Sequence, residues 1–233
     1  MKSSDTQLKA RGFLDDVELT RFQSCSFEQL WELLDAKDPV ARSGAARLLP
    51  LTNETTKKLL QTVQQEKKLY CRLEMMRKLE SGDQETARMM LPYLGKIGRN
   101  QHNIPLTKPS AKKSFPLPRD LIARSLGNMS PEILPILFGQ LDVLPDAELS
   151  ELIDAIGQLL FYHPEAVKEE HFQQLKQLWQ QTESPLIQWK LVVCFSALPQ
   201  SRELLETIAA SMPTLAAEAQ RALTILSQRR MQK

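Results

Sequence analysis

Arg42-Ser43-Gly44-Ala45-Ala46-Arg47-Leu48-Leu49 decides the fold, because its spacing returns twice. It reappears as Arg72-Leu73-Glu74-Met75-Met76-Arg77-Lys78-Leu79 and as Arg119-Asp120-Leu121-Ile122-Ala123-Arg124-Ser125-Leu126. On a helix that turns about 100° per residue, the small or apolar residues three, four and seven places after the first Arg fall near 300°, 40° and 340°. They make one stripe with that Arg in its middle. The second Arg, five places on, falls near 140°, on the far side. Arg42, Arg72 and Arg119 are therefore expected along a packed seam, stems covered and heads in structural ion pairs, since an unpaired buried charge is very costly. Asp38 is the expected partner of Arg42. Arg47, Arg77 and Arg124 are expected to face solvent, and stacked repeat units would align them into a row.

Working outward, residues 1–25 read as a capping segment of one or two short helices. The start has no apolar run of the kind a signal peptide needs. Ser26-Phe27-Glu28-Gln29 is a capping box that opens a helix. Asp38-Pro39 opens the next, with Asp as cap and Pro in the first helical position. Helices follow from about Glu54 to Gln65 and from about Lys68 to Leu79. Leu91-Pro92 and Leu134-Pro135 place a proline inside helical pattern, which predicts a kink. Later starts fall at Pro131, Pro145-Asp146, Pro164, Pro185, Ser201 and Pro213. In later second helices Leu152 and Leu191 take the seam Arg place, and Gly157, Ser196 and Thr224 take the outward one. The chain closes on a basic tail, Arg229-Arg230-Met231-Gln232-Lys233.

The excess spacing before the third motif sits in 98–117, a proline-rich loop carrying Arg99, Lys108, Lys112 and Lys113 and no acid. A loop of this length is either functional or disordered. Residues 1–130 hold 22 Lys+Arg against 15 Asp+Glu, and residues 131–233 hold 8 against 13. A basic front and an acidic back suit steering of an acidic partner, and equally head-to-tail self-association. No apolar run approaches the roughly 18 residues that span a bilayer. Cys25, Cys71 and Cys194 read as scattered reduced thiols, which suits a cytoplasmic protein.

The stretch Asp38-Pro39-Val40-Ala41-Arg42-Ser43-Gly44-Ala45-Ala46-Arg47-Leu48-Leu49 resembles the second helix of a HEAT repeat, also called the armadillo-like or phycobilisome-lyase-like repeat. The resemblance covers most of the chain after about residue 26 and implies one repeat domain over 26–233. It implies an all-α fold, an α-α superhelix of about six helical hairpins, with second helices lining a concave face.

Chemistry is sparse. His102, His163 and His171 lack helical metal-ligand spacing and read as surface or turn residues. There is no His-Glu dipeptide, which the HEAT-like di-iron hydroxylases repeat. No Cys or Ser has an identifiable His partner, and no glycine-rich phosphate loop exists. Trp31, Trp179 and Trp189 read as core. No metal or cofactor is expected. The expected function is a non-enzymatic scaffold for protein–protein interaction, docking an acidic segment through Arg47, Arg77, Arg124, Lys112 and Lys113. The alternative is nucleic-acid binding on the same row, including a HEAT-like DNA glycosylase in which Trp189 and Asp154 would hold a lesion. A role in handling bilin proteins rests on the repeat's name alone.

Overall fold

The computed structural model describes residues 4–230, of Arg230 the backbone only. The start of the N-terminal segment and the tail residues 231–233 lie outside the described residues. The fold is all-α: among the described residues there are helices and turns and no strand. None of these helices is long and apolar enough to cross a membrane. The chain forms two compact units, Met1–Tyr93 and Leu94–Lys233. The boundary between them falls just before the long loop.

In the first unit α1 (Asp5–Lys9) and α2 (Asp16–Thr20) precede α3 (Phe27–Leu33), α4 (Pro39–Leu48), α5 (Asn53–Gln65), α6 (Leu69–Glu80) and α7 (Gln84–Met90). The cap signals read from sequence hold: Ser26 and Gln29 make the reciprocal capping box, and the Asp38 carboxylate accepts from the Val40 N–H at 3.0 Å. α4 packs against α3 and α6, and α5 against α6. Small residues on α4 permit this closeness. The Phe22 ring lies on Gly44, where a Cβ would come within 2.5 Å of it. The segment before α3 is stitched down by main-chain contacts: Ser43 Oγ donates to the Gly12 carbonyl at 2.6 Å, and the Tyr70 N–H to the Arg11 carbonyl at 3.0 Å. Gly12 sits at φ +85°, a conformation that favours glycine. The proline after Leu91 ends α7, and the chain continues as a 3-10 turn, Leu91–Tyr93.

The second unit begins with the long loop and then runs α8 (Leu121–Leu126), α9 (Leu134–Phe138), α10 (Asp146–Tyr162), α11 (Glu169–Gln181), α12 (Pro185–Phe195), α13 (Arg202–Ser211) and α14 (Pro213–Arg230). Here α8, α10, α12 and α14 pack in series, while α9, α11 and α13 flank α10, α12 and α14. The predicted stripes are the core. Leu152, Ala155, Ile156 and Leu159 of α10, and Leu191, Cys194, Phe195 and Leu198 of α12 and its end, are fully buried. α10 is buried on nearly every face from Leu149 to Leu160, because neighbours and the loop surround it.

Candidate functional site

The two arginine rows need correction. Arg42 is in the seam and paired, but its partner is Glu66, not Asp38, whose carboxylate is used as the α4 cap. Arg42 Nε donates to Glu66 Oε2 at 2.7 Å and Nη2 to Oε1 at 3.1 Å, with the Ala36 carbonyl taking Nη1 at 2.7 Å. Burial works against the Glu66 charge, yet Arg42 and the Lys68 N–H together hold its carboxyl below the usual range. Arg72 donates to the Glu66 carbonyl, so one acidic residue anchors two seam arginines. Arg119 is not in a seam. Asp120 caps α8 through the Ala123 N–H (2.9 Å), so the helix begins after Arg119 and leaves it exposed.

The expected outward row is also partly occupied. Arg47 donates two hydrogen bonds to the buried Glu74 carboxylate, at 2.8 and 2.7 Å, and Arg77 reaches the same carboxylate at 2.9 Å. The Glu74 hydrogen bond raises the Arg47 pKa above its ordinary value. With Lys78 and Ser81 they line an open cleft of about 270 Å³. Of the pair only Arg77 is well exposed, at 65% of its side chain. Arg124 folds back on its own unit: Nε and Nη2 both donate to the Pro118 carbonyl, at 3.0 and 2.8 Å. Nor are the later outward places exposed alike, since Ser196 is buried and Gly157 lies beneath the Phe115 ring.

A group of free positive charges stands on and just after the loop. Arg99, Lys108, Lys112, Lys113 and Arg119 are all exposed, and among the described residues no acid pairs with any of them. Residues 94–130 carry 7 Lys+Arg and 1 Asp+Glu, so nearly all of the front-half charge excess lies in this stretch; residues 1–93 balance 15 against 14. The loop is seated, not loose. Gln101 donates to the Asp120 carboxylate at 3.0 Å. The His102 ring stands edge-on to Trp189 at 5.2 Å. Phe115 is buried against Gly157 and Phe161. From α14, Arg221 donates to the carbonyls of Ser110 (3.0 Å), Lys112 (3.4 Å) and Ser114 (2.8 Å), while Glu218 takes its Nη1 at 2.7 Å. Replacing Arg221 by alanine is expected to release the loop, raising tryptic cleavage after Lys112 and Lys113 at least tenfold in limited proteolysis. An unchanged cleavage rate would mean that Phe115 and His102 hold the loop without it.

Beneath the loop lies a cluster that sequence reasoning missed. Lys190 of α12 is 1% exposed; its ammonium pairs with Asp154 of α10 and lies 3.8 Å from Glu151 Oε1. Burial, offset in part by Lys190 and reinforced by Asp154, raises the Glu151 pKa to about 7. Burial likewise pushes Asp154 up against the pull of Lys190. Burial, Arg119 and Lys190 bring His102 down to about 4, so its ring is neutral at pH 7. A signal existed: Glu151 and Asp154 are one turn apart within a mostly apolar stretch, 149–160, and Lys190 interrupts an apolar run. His102, Leu106, Asp154, Trp189 and Lys190 line a cavity of about 50 Å³. That space suits a water or two, not a nucleobase or a substrate. Trp189 and Asp154 are thus neighbours, as the glycosylase alternative expects, but the carboxylate is engaged by Lys190 and roofed by the loop.

The remaining candidates resolve simply. His171 is buried, not at the surface, and stacks on Phe138 at 4.5 Å; His163 meets Glu165 at 3.1 Å. Trp189 is core, while Trp31 and Trp179 are half-buried. Among the described residues no group of three or more His, Cys, Asp or Glu side chains is placed to hold a metal. Burial pushes the Cys71 and Cys194 thiols up, which makes them poor nucleophiles.

Comparison with known proteins adds little. No family model matches the chain, and no curated protein does. Among solved structures, the crystal structure of an engineered protein aligns at 16% identity and a TM-score of 0.40, covering 87% of this chain and 96% of that one. Likeness at that level decides neither topology nor role.

Proposed function

We propose that this chain is a HEAT-like helical-repeat binding module without catalytic activity, which docks an acidic segment of another protein. The observation that carries this is the set of five exposed, unpaired cations on a loop whose backbone is fastened to the helices below. A cation with no internal partner remains available to an external carboxylate, and a seated loop loses little conformational freedom on binding. The docking surface moves accordingly from the Arg47–Arg77–Arg124 row to Arg99, Lys108, Lys112, Lys113 and Arg119. Arg77 is a secondary contributor. An acidic peptide fits this surface better than a duplex. The charge is confined to one loop on a unit whose other residues, 131–233, carry 13 acids against 8 bases, and the sequence pI of 8.4 falls short of the usual nucleic-acid-binding domain.

The test uses a fluorescent oligo-glutamate peptide and, in parallel, duplex DNA. Reversal of Lys108, Lys112 and Lys113 to Glu is expected to weaken peptide binding by tenfold or more, each exposed charge contributing about 0.5–1 kcal/mol. Peptide binding untouched by the triple reversal would refute the proposal. DNA held more tightly than the peptide, with the steep salt dependence of phosphate contacts, would favour the nucleic-acid reading instead.

A further inference from the structure

A second cavity, away from the basic loop, lies in the same unit between the end of α12 and α14. It measures about 360 Å³ and is lined by Pro164, Val167, Ala197, Pro199 and Leu226, with Arg202 and Arg229 as the charged groups among the described residues. That volume is in the range of small-molecule sites, roughly 300–1,000 Å³, and such sites are mostly apolar with a few fixed polar groups. Here both polar groups carry the same sign. Arg229 is half-buried, its guanidinium 4.3 Å from the Phe161 ring centre and donating to the Phe161 carbonyl at 2.7 Å. These contacts orient it without neutralising it, and no described carboxylate pairs with it. Burial holds its pKa below the ordinary value, as expected of a cation short of counter-charge. Arg202 donates to Ser227 Oγ at 3.2 Å, and the nearest acid, the exposed Glu206, stands 4.0 Å away. Glu165, beside the cavity wall, is engaged by His163.

We infer that this cavity binds a small carboxylic acid with an apolar body, its carboxylate taken by Arg229 and Arg202 and its hydrocarbon laid against Val167, Ala197, Pro199 and Leu226. A guanidinium offers the planar fork that fits a carboxylate, and the pairing is strongest where water is thin. An uncharged apolar ligand would leave Arg229 facing hydrocarbon, and a compact inorganic anion would leave the walls wet. The acid alone satisfies both halves of the cavity.

Titration calorimetry on the full chain decides it, with decanoate as probe and decanol as its uncharged counterpart. Decanoate is expected to bind at least tenfold more tightly than decanol. Arg229→Gln should weaken decanoate at least tenfold, and Arg202→Gln two- to fivefold. If Arg229→Gln unfolds the chain, Arg202→Gln on the exposed rim and the decanol comparison carry the decision. Failure of decanoate to bind, equal affinity for decanol, or indifference to both arginine changes would overturn the inference. So would tighter binding of an acetylated apolar peptide with a free C-terminus, which would reassign the site to protein chain ends. None of these outcomes touches the basic-loop reading, which rests on other residues.

Discussion

Replacing Lys190 by methionine will cost the fold about 3–5 kcal/mol, the usual penalty for removing one partner of a buried ion pair. Lys190 is 1% exposed and its ammonium is the cation paired with Asp154 and nearest to Glu151. Methionine fills a similar volume, so the loss reports charge and not a cavity. What remains is a buried Asp154 with no positive partner, beside a second carboxyl. The double change Lys190→Met with Asp154→Leu should recover most of the loss, since a well-packed apolar replacement of a buried pair is often near neutral. Urea unfolding of the two variants beside the wild type measures both numbers. A single mutant within 1 kcal/mol of wild type would show that the cluster is wetter than its burial implies.

Glu151 sets the second expectation, and its direction is opposite to that of an ordinary surface carboxylate. In the fold it keeps its proton up to about pH 7, against a reference value of 4.5. Between those values the folded chain binds more protons than the unfolded one, so stability falls as pH rises. The contribution is complete below about 4.5 and gone above about 7. Each tenfold change in proton affinity is worth about 1.4 kcal/mol, which makes the whole contribution about 3 kcal/mol. Burial lowers His102 and His171, which act in the reverse sense over part of the same range. The informative quantity is therefore the difference between wild type and Glu151→Gln, a permanent mimic of the protonated form. Relative to wild type, the variant should gain about 2–3 kcal/mol on going from pH 5 to pH 8. A constant difference across that range would mean that Glu151 titrates normally.

The element starts are legible in the sequence because prolines and caps state them locally. Ser26, Asp38-Pro39, Pro145-Asp146, Pro185 and Pro213 each stand at a helix start. The stripes are legible too, as the burial of Leu152 to Leu159 shows. What one helix's periodicity misses is what packs on its other sides. α10 touches α8, α9 and α12 and also carries the loop, so its nominally outward Gly157 is covered. Arg47 looks free in the sequence because its partner, Glu74, lies 27 residues away. Arg119 looks helical there because its spacing matches the motif, while the cap at Asp120 starts the helix at Leu121, two residues past it. The seat of the loop depends on three of its own carbonyl groups, which no side-chain pattern can encode.

Arg221 grips peptide oxygens, which every amino acid possesses, so its hold does not depend on which side chains the loop carries. Between the anchors His102 and Phe115, substitutions at the outward positions 107, 108, 111, 112 and 113 leave the fastening untouched. The loop thus behaves as an interchangeable faceplate, one whose specificity drift or design can rewrite while the helices beneath stay the same.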